Sequence, residues 1–481
     1  MKKWNVLWAM CLTLLLASTA RSQTGVNNAE LNGDYAFSFN GMTTGGGNNW
    51  TPFAAVGRFT ADGAGNLTNG ELDANGFGAM EKAVAQPFTG TYSIGADSRG
   101  VMNLSIPGGG LLAFAMMANG NAKFVEIDAA GGHGTVGSGT MEKVDSTAFS
   151  TAKIAGDYAF GFAGFDQSNN RTAIAGRFTA NGAGTLTNGA ADMNLSGTFS
   201  TLNVFAGSYM VTDGASGRGI LNMPPVVGGA PINLDFVFYV VNAGKVFAME
   251  MDALSPVAPL LTGPVLRQQT PAIVGFTNAS LNGGMVIYGA GNGTAEVGQL
   301  QADGIGTLTL GFNGACWGEG GGTGTYNVAS DGRAAIKIGG AYGVTYLVSS
   351  NEAFYILPDP CVSFGFGEPQ AAGTLTNSAI TGKYAGSMTI PTYVNQFIFS
   401  GEFTADGVSP TGHISGTEDI GTPSGAILNQ PANATYSVTS TYRNGAGALT
   451  GNIAGILYVI SPSKFVVVSS DSHPALLVFE H

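Results

Sequence analysis

The chain of 481 residues has little charge, cysteine or histidine. Only 10% of its residues are Asp, Glu, Lys or Arg, well under the usual quarter of a soluble domain. There are four histidines, and they lack the spacing that zinc ligands require. They are His133, His413, His473 and His481. We therefore expect no metal site and no cofactor.

Motifs for nucleophilic catalysis or nucleotide binding are also missing. The nearest approach to a serine nucleophile elbow, Gly137-Ser138-Gly139, has Val136 where the first glycine of Gly-x-Ser-x-Gly should stand. Phosphate loops and dinucleotide fingerprints need a strand that leads into a helix, and no segment has a convincing amphipathic helical pattern. These absences favour a protein without enzymatic activity.

Acidic residues and glycine are abundant instead. Thirty-one acidic residues against 19 basic ones give a net charge of −12, so the phosphate backbone of a nucleic acid is an unfavourable partner. Glycine contributes 75 residues while 44% of the chain is hydrophobic. That mixture is typical of many short strands joined by tight turns and differs from the apolar-poor composition of disordered chains.

The first 22 residues have the three-part pattern of a secretory signal peptide. Lys2 and Lys3 precede an apolar stretch over residues 6–17, and the small residues Ala20 and Ser22 have the spacing of a cleavage site. The apolar stretch is shorter than the about 20 residues of a membrane-spanning helix. We predict cleavage after Ser22, a secreted, periplasmic or cell-surface location, and no transmembrane helix in the mature chain.

One unit is repeated four times in the remaining chain. The segment 57–70 reads GRFTADGAGNLTNG and recurs almost unchanged over residues 176–189, with weaker copies that begin at Gly298 and Gly401. An opening strand, which begins at Gly33, Gly156, Gly283 or Gly382, precedes each copy, and a Gly-x-Tyr or Ala-x-Tyr marker follows it. This order of markers, repeated four times, predicts tandem modules. The predicted modules are residues 23–145, 154–267, 281–370 and 382–481.

Within each unit the hydrophobic period is two. Tyr35, Phe37 and Phe39 alternate with Ala36 and Ser38, which is typical of a strand with one buried face. An Asp-Gly or Asn-Gly pair in each unit predicts a hairpin turn. With about eight strands per unit, the pattern favours an all-β chain of tandem antiparallel up-and-down β-barrel-like modules, because closure removes exposed strand edges. Tandem β-sandwiches are the alternative.

The Gly-Asp-Tyr-Ala-Phe opener at Gly33 and the Gly-Arg-Phe-Thr-Ala-Asp-Gly-Ala-Gly block at Gly57 resemble segments of known proteins. They are similar to those of secreted, glycine-rich repeat proteins of environmental bacteria, which have no assigned activity. Hairpins such as 90–93 resemble those of avidin- and lipocalin-type barrels. The resemblance implies export and repeated β units, and it weakens where Gln299 and Glu402 replace the arginine of the block.

Two arginines and two glutamates are the candidate ligand-binding residues. Arg58 and Arg177 occur in the first two units, which also carry Glu126 and Glu250, and neither residue type is kept at these places in the other two units. We predict that Arg58 pairs with Glu126, and Arg177 with Glu250, inside the barrels, where each pair would contact a ligand. A purely structural ion pair, or two exposed charges, is the alternative.

Cys316 and Cys361 are the only cysteines after the predicted signal peptide. In an oxidising compartment we expect them to form a disulfide, which would contribute ~3–4 kcal/mol for a loop of this length. Two separate thiols are the alternative, because the sequence does not fix the Cα spacing that a disulfide needs.

Three classes of function fit this sequence. The first is a non-enzymatic cell-surface, extracellular-matrix or adhesion-type binding protein, in which repeats provide multivalent contact with a partner. The second is a carrier of small apolar ligands inside calycin-like barrels, and an interior filled by side chains would argue against it. In the first barrel the residues that line the ligand site of such a carrier would be Tyr35, Phe37, Phe59 and Tyr92. The third class is a secreted hydrolase.

Overall fold

A computed structural model provides the structure of the chain. It describes residues 25–44, 50–76, 82–107, 110–129, 133–224, 226–227, 230–231, 234–252, 254, 258–271, 275–314, 316, 318–388, 398–439, 444–471 and 474–481. Four closed antiparallel barrels of eight strands each follow one another along the chain. This confirms the all-β, tandem-barrel prediction and replaces the sandwich alternative. The predicted signal peptide and the histidine His473 lie outside the described residues.

The strands have the following bounds. Barrel 1 comprises β1 Asn32–Thr44, β2 Thr51–Asp62, β3 Asn66–Gly76, β4 Ala83–Ile94, β5 Arg99–Leu104, β6 Leu111–Met116, β7 Ala122–Glu126 and β8 Gly134–Lys143. Barrel 2 comprises β9 Ala155–Phe165, β10 Arg171–Asn181, β11 Thr185–Leu195, β12 Thr198–Asp213, β13 Arg218–Met223, β16 Leu234–Asn242, β17 Lys245–Glu250 and β18 Leu260–Arg267, with a separate hairpin of β14 Val226–Val227 and β15 Ala230–Pro231.

Barrel 3 comprises β19 Asn282–Gly291, β20 Thr294–Asp303, β21 Thr307–Gly314, β22 Gly318–Val328, β23 Arg333–Ile338, β24 Ala341–Ser349, β25 Glu352–Ile356 and β26 Phe364–Pro369. Barrel 4 comprises β27 Thr381–Met388, β28 Ile398–Asp406, β29 Gly412–Thr422, β30 Gly425–Thr439, β31 Ala446–Gly451, β32 Gly455–Ser461, β33 Lys464–Ser469 and β34 Leu476–Glu480. Short 3₁₀ turns occur at Asn28–Glu30, Ser146–Ala148, Thr151–Lys153, Asn278–Ser280 and Asn377–Ala379.

The hairpin between the second and third strands of each barrel is shaped by the predicted Asp-Gly or Asn-Gly turn. In the first turn the Asp62 carboxylate accepts a hydrogen bond from the Ala64 backbone N–H at 2.7 Å, and Gly63 has a φ of +73°, which glycine adopts without strain. Asn181, Asp303 and Asp406 accept the corresponding bond in the other barrels. The turn prediction is therefore confirmed in all four units.

Alternate side chains fill the interior of barrel 1, as the period of two predicts. The rings of Tyr35 and Phe59 stack with centroids 5.5 Å apart, and Phe37 lies edge-on to Phe88 and Phe124 at 6.4 Å. The predicted lining residues are thus packed against one another, and they make a side-chain core.

The outward faces of several strands are buried as well, because the next barrel packs on them. Ala36 and Val56 of barrel 1 form an apolar cluster with Val237, Tyr239 and Phe247 of barrel 2. Similar clusters join barrel 2 to barrel 3 and barrel 3 to barrel 4. The expectation of a single buried face is therefore wrong for these strands, since Ala36 has no exposed surface.

Barrel 4 also packs against barrel 1. Ala385 of β27 lies in a cluster with Ala115 and Met117, and the Ser400 hydroxyl donates to the Lys123 carbonyl at 3.0 Å. Each barrel therefore has two neighbours, and the four barrels form a closed ring.

A charged contact recurs at the junctions of this ring, and we call it the junction latch. At the junction of barrels 1 and 2, Arg218 donates to both carboxylate oxygens of Asp73 at 2.8 Å. The Tyr239 hydroxyl also donates to Asp73, at 2.8 Å. Asp192, Arg333 and Tyr346 form the same contact between barrels 2 and 3. A bidentate arginine–carboxylate contact of this kind fixes the orientation of the two side chains as well as their distance.

The other two junctions vary the latch. Between barrels 4 and 1, Arg99 donates to Asp419 at 2.7 Å. Ala115 stands opposite Arg99, in the position that Tyr239 holds in barrel 2. Between barrels 3 and 4, Asn313 replaces the aspartate and accepts from the Tyr458 hydroxyl at 3.0 Å. Ala446 then stands opposite Tyr458, as Arg218 stands opposite Tyr239 in barrel 2. Aspartate and arginine are thus lost together at that junction.

Candidate binding site

The structure places the predicted residues Arg58 and Glu126 on different faces of barrel 1. Arg58 lies on the outer face, where its guanidinium donates to Asp34 at 3.1 Å and to the Ala215 carbonyl of barrel 2 at 2.8 Å. Glu126 lies opposite Leu112 and faces the barrel interior. The predicted pairing of Arg58 with Glu126 is therefore wrong, and the partner of Arg58 is Asp34.

Barrel 2 repeats this arrangement. Arg177 donates to Asp157 at 2.7 Å, whereas Glu250 lies opposite Phe236 inside the barrel, with 1% of its surface exposed. The pairing predicted for Arg177 and Glu250 is wrong for the same reason, because Arg177 lies on the outer face of the barrel and Glu250 faces its interior. Ligand binding by these four residues remains a prediction.

A sequence signal for the true partner of the arginine exists in the repeats. The Asp34 position carries Asp157 in the second unit, with arginine at the Arg58 position in both units. In barrel 4 the two positions hold Lys383 and Glu402, so the charges are exchanged. Comparing the opener with the arginine block would therefore have identified the pair.

Cys316 and Cys361 form a disulfide, with Cα atoms 6.2 Å apart. Cys316 lies in the turn between β21 and β22, and Cys361 lies in the loop between β25 and β26. The bond ties together two loops at one end of barrel 3.

Each barrel encloses a glutamate in its interior, and burial raises the pKa of each. The pKa of Glu126 is raised well above its ordinary value, and that of Glu250 is raised to about 9. Burial raises the pKa of both Glu296 in barrel 3 and Glu418 in barrel 4 to about 7. Such shifts are frequent at functional sites and also occur in structural cores, so the surroundings of each carboxyl decide between these roles.

The buried Glu250 should make the stability of the protein depend on pH. Its pKa is higher in the folded chain than the ordinary 4.5, so the folded state binds more protons between these values. Stability should therefore fall as pH rises from about 5 to about 9, by up to ~1.4 kcal/mol per pH unit for this group. We expect Glu250→Gln to flatten the fall of the thermal unfolding temperature over this range.

The exposed Glu319 provides the matched control, because Glu319→Gln removes a carboxylate from the surface. That variant should retain the pH profile of the parent chain. A parent chain that becomes more stable between pH 5 and pH 9 would contradict this assignment.

Barrel 3 has a cavity of about 540 Å³ in its interior, a volume typical of small-molecule sites. Its cause is visible in the repeat. In each of the first three barrels a leucine of the third strand pairs with a glycine of the fourth strand. The residue two positions before that glycine is Phe88 in barrel 1, Phe205 in barrel 2 and Gly322 in barrel 3. Ile287 likewise takes the place of Phe37. The rings that fill barrels 1 and 2 are therefore absent from barrel 3.

The cavity wall is almost wholly apolar. Its polar members are Thr323, Tyr342, Thr345, Tyr355 and a single charged residue, Glu296. The apolar members include Met285, Ile287, Leu300, Leu310, Phe312, Ile336, Ile338 and Leu357. An apolar wall with a few polar groups at defined places is the usual composition of a ligand pocket.

Glu296 takes an interior position that holds Ala55 in barrel 1 and Ile174 in barrel 2. The Tyr355 hydroxyl donates to Glu296 Oε1 at 2.7 Å. Glu296 lies opposite Gly289, where a Cβ atom would collide with the Tyr355 hydroxyl. The glycine thus allows the tyrosine to reach the carboxyl. Unlike Glu250, Glu296 retains partly exposed surface because it faces the cavity.

An arginine from barrel 2 lies behind this end of the cavity. Arg171 is fully buried and donates to the carbonyls of Val362 at 3.3 Å and Ala290 at 3.0 Å. Burial lowers the pKa of Arg171 to about 10, although the negative charges of Glu296 and Asp359 act to raise it. Arg171 does not line the cavity, so it acts on the carboxyl through the barrel wall.

A second cavity, of about 680 Å³, is lined by residues of all four barrels. Its charges are paired with one another. Glu480 accepts from Lys123 and Lys464 at 2.6 Å each, and Glu368 accepts from Lys464 at 2.5 Å. These ion pairs satisfy Lys123, Glu368, Lys464 and Glu480 in this cavity, whereas Glu296 faces the open space of the barrel 3 cavity.

Within the described ranges, no group of three or more His, Cys, Asp or Glu side chains could hold a metal ion. In the same part of the chain, no helix is long and apolar enough to span a bilayer. No family model and no curated protein matches the sequence.

Proposed function

We propose that the protein is an exported, non-enzymatic binding protein whose third barrel holds one small, mainly apolar molecule. The observation that carries this proposal is the cavity of about 540 Å³ in barrel 3. It exists because glycine occupies the position at which barrels 1 and 2 have a phenylalanine. The carrier function is thus proposed for one barrel of the four.

The energetics favour an occupant for this cavity. Ile287, Leu310, Phe312 and Ile338 remain partly exposed where they face it. Burial of apolar surface contributes roughly 25 cal/mol per Å², and an apolar ligand would recover this contribution. Empty apolar space destabilises a core, so its presence beside three aromatic-rich barrels is more simply explained by a ligand than by packing.

Several features support an exported location. The disulfide suits an oxidising compartment, and residues 1–22 have the pattern of a secretory signal. The resemblance of the opener and the arginine block to secreted glycine-rich repeat proteins agrees with this proposal.

Titration calorimetry with octan-1-ol tests the proposed function. We expect one bound molecule per chain, because the cavity lies in one barrel. Absence of heat in excess of dilution, or four equivalent sites, would overturn the proposal. Octan-1-ol is suitable because it offers an apolar chain with one polar end that matches the wall and the carboxyl of the cavity.

A surface or matrix partner is the second candidate, and one observation favours it. Val84, Met210 and Ile220 are exposed by 56%, 50% and 46% and line one groove that includes residues of barrels 1 and 2. Exposed apolar side chains that cluster in this way mark contact surfaces. Binding of the exported chain to isolated cell envelopes would test this role.

A further inference from the structure

We propose that the molecule bound in barrel 3 carries a protonated amine, which the Glu296 carboxylate receives. This inference rests on the proposed function and names the chemical class of the ligand. It starts from the charge of the wall, since Glu296 is the single charged residue among the lining residues and lysine, arginine and histidine are absent from them.

The position of the carboxyl favours a hydrogen-bond donor on the ligand. Tyr355 donates to Oε1 of Glu296, so the hydroxyl proton of the tyrosine is already engaged. An ionised carboxylate accepts about four hydrogen bonds in total. Gly289 and Gly314 stand opposite Glu296 on the two neighbouring strands, so no side chain from these positions covers it. A donor that enters along the cavity can therefore reach the carboxylate.

The surrounding charges favour a cation over a neutral donor. Arg171 acts from barrel 2 on Glu296, Tyr355 and Asp359. Arg171 lies outside the lining of the cavity, so no cationic side chain of the lining faces Glu296. Burial of an uncompensated charge is unfavourable, and burial raises the pKa of Glu296 to about 7. An ammonium group would supply the missing positive charge.

Other head groups fit less well. A carboxylic acid would place a second negative charge beside Glu296, and Arg171 lies outside the lining of the cavity. An alcohol would donate one hydrogen bond and leave the charge uncompensated. We therefore expect affinities in the order amine, alcohol, carboxylate for ligands with the same apolar chain.

Titration calorimetry of the full chain at pH 8 with octylamine, octan-1-ol and octanoate tests this order. Octylamine should bind about 10- to 100-fold more tightly than octan-1-ol, because hydrogen bonds to charged groups contribute more than neutral ones. Octanoate should bind most weakly. Glu296→Gln should reduce the affinity for octylamine to that for octan-1-ol and leave octan-1-ol binding nearly unchanged.

The exposed Glu319→Gln is the control for the loss of one negative charge, and it should retain the preference for octylamine. Equal or tighter binding of octan-1-ol or octanoate would overturn the amine assignment and leave the cavity as a binding site. Absence of binding by all three compounds would instead overturn the proposed function. A Glu296→Gln variant that keeps both its fold and its preference for octylamine would also contradict the assignment.

Discussion

Replacing Asp192 with alanine should lower the free energy of unfolding by about 3–5 kcal/mol, as loss of one partner of a buried ion pair does. Asp192 has no exposed surface and accepts hydrogen bonds from Arg333 at 2.8 and 2.9 Å and from the Tyr346 hydroxyl at 2.6 Å. Alanine would remove the carboxylate that accepts from both Arg333 and Tyr346 at the junction of barrels 2 and 3. Unfolding in urea measures this change.

The junction of barrels 3 and 4 supplies the control for this prediction. There the asparagine Asn313 accepts from Tyr458, with Ala446 in the arginine position. The double variant Asp192→Asn/Arg333→Ala copies that combination and removes both charges together. We expect it to be more stable than Asp192→Ala. A double variant that is no more stable than the single one would show that the latch is not the source of the loss.

Replacing Gly322 with phenylalanine should abolish ligand binding in barrel 3 while the chain remains folded. This position holds Phe88 in barrel 1 and Phe205 in barrel 2. A Cβ atom at Gly322 would meet only Ile338, at 3.4 Å, so the backbone accepts a side chain there. The new ring would occupy the cavity and exclude octan-1-ol, as calorimetry should show by the loss of the binding heat.

Thr325→Phe is the matched control on the same strand. Thr325 is exposed and precedes the buried Tyr326, so the added ring would lie outside the barrel. We expect this variant to bind octan-1-ol like the parent chain, and circular dichroism should show the same β content in all three proteins. A folded Gly322→Phe variant with unchanged affinity would place the ligand elsewhere.

The barrels follow from sequence features that act locally. Alternation of Tyr35 and Phe37 with smaller residues gives strands, and the Asp62-Gly63 turn and its counterparts give hairpins, which the structure confirms. The repeat markers define the number of units because each marker recurs in the same order. The disulfide between Cys316 and Cys361 could be expected because no other cysteine follows the predicted signal peptide.

The closed ring of four barrels was not predicted, because the alternation of apolar and polar residues along a strand does not reveal whether its outward face contacts water or another barrel. Ala36 and Val56 are small or branched apolar residues on such a face, and both are fully buried at the junction with barrel 2. The latch would have required comparison of the units position by position. Such a comparison shows aspartate and arginine lost together at Asn313 and Ala446.

The cavity was missed for a related reason. The sequence predicted ligand-contacting pairs in the first two units, with Arg58 and Glu126 as the candidates in the first. The structure instead shows a cavity where the third unit departs from the first two, at Gly322 and Glu296. A lost phenylalanine and a gained carboxyl are each unremarkable alone, and they become a site because barrel closure brings them to one interior.

A crystal structure of the protein soaked with 1-bromooctane would show where an apolar ligand binds, because anomalous scattering locates the bromine atom. We expect one bromine per chain inside barrel 3, in contact with side chains such as Ile287 and Phe312 that line its cavity. Bromine in the filled interior of barrel 1, or solely on the outer surface of the ring, would contradict this expectation.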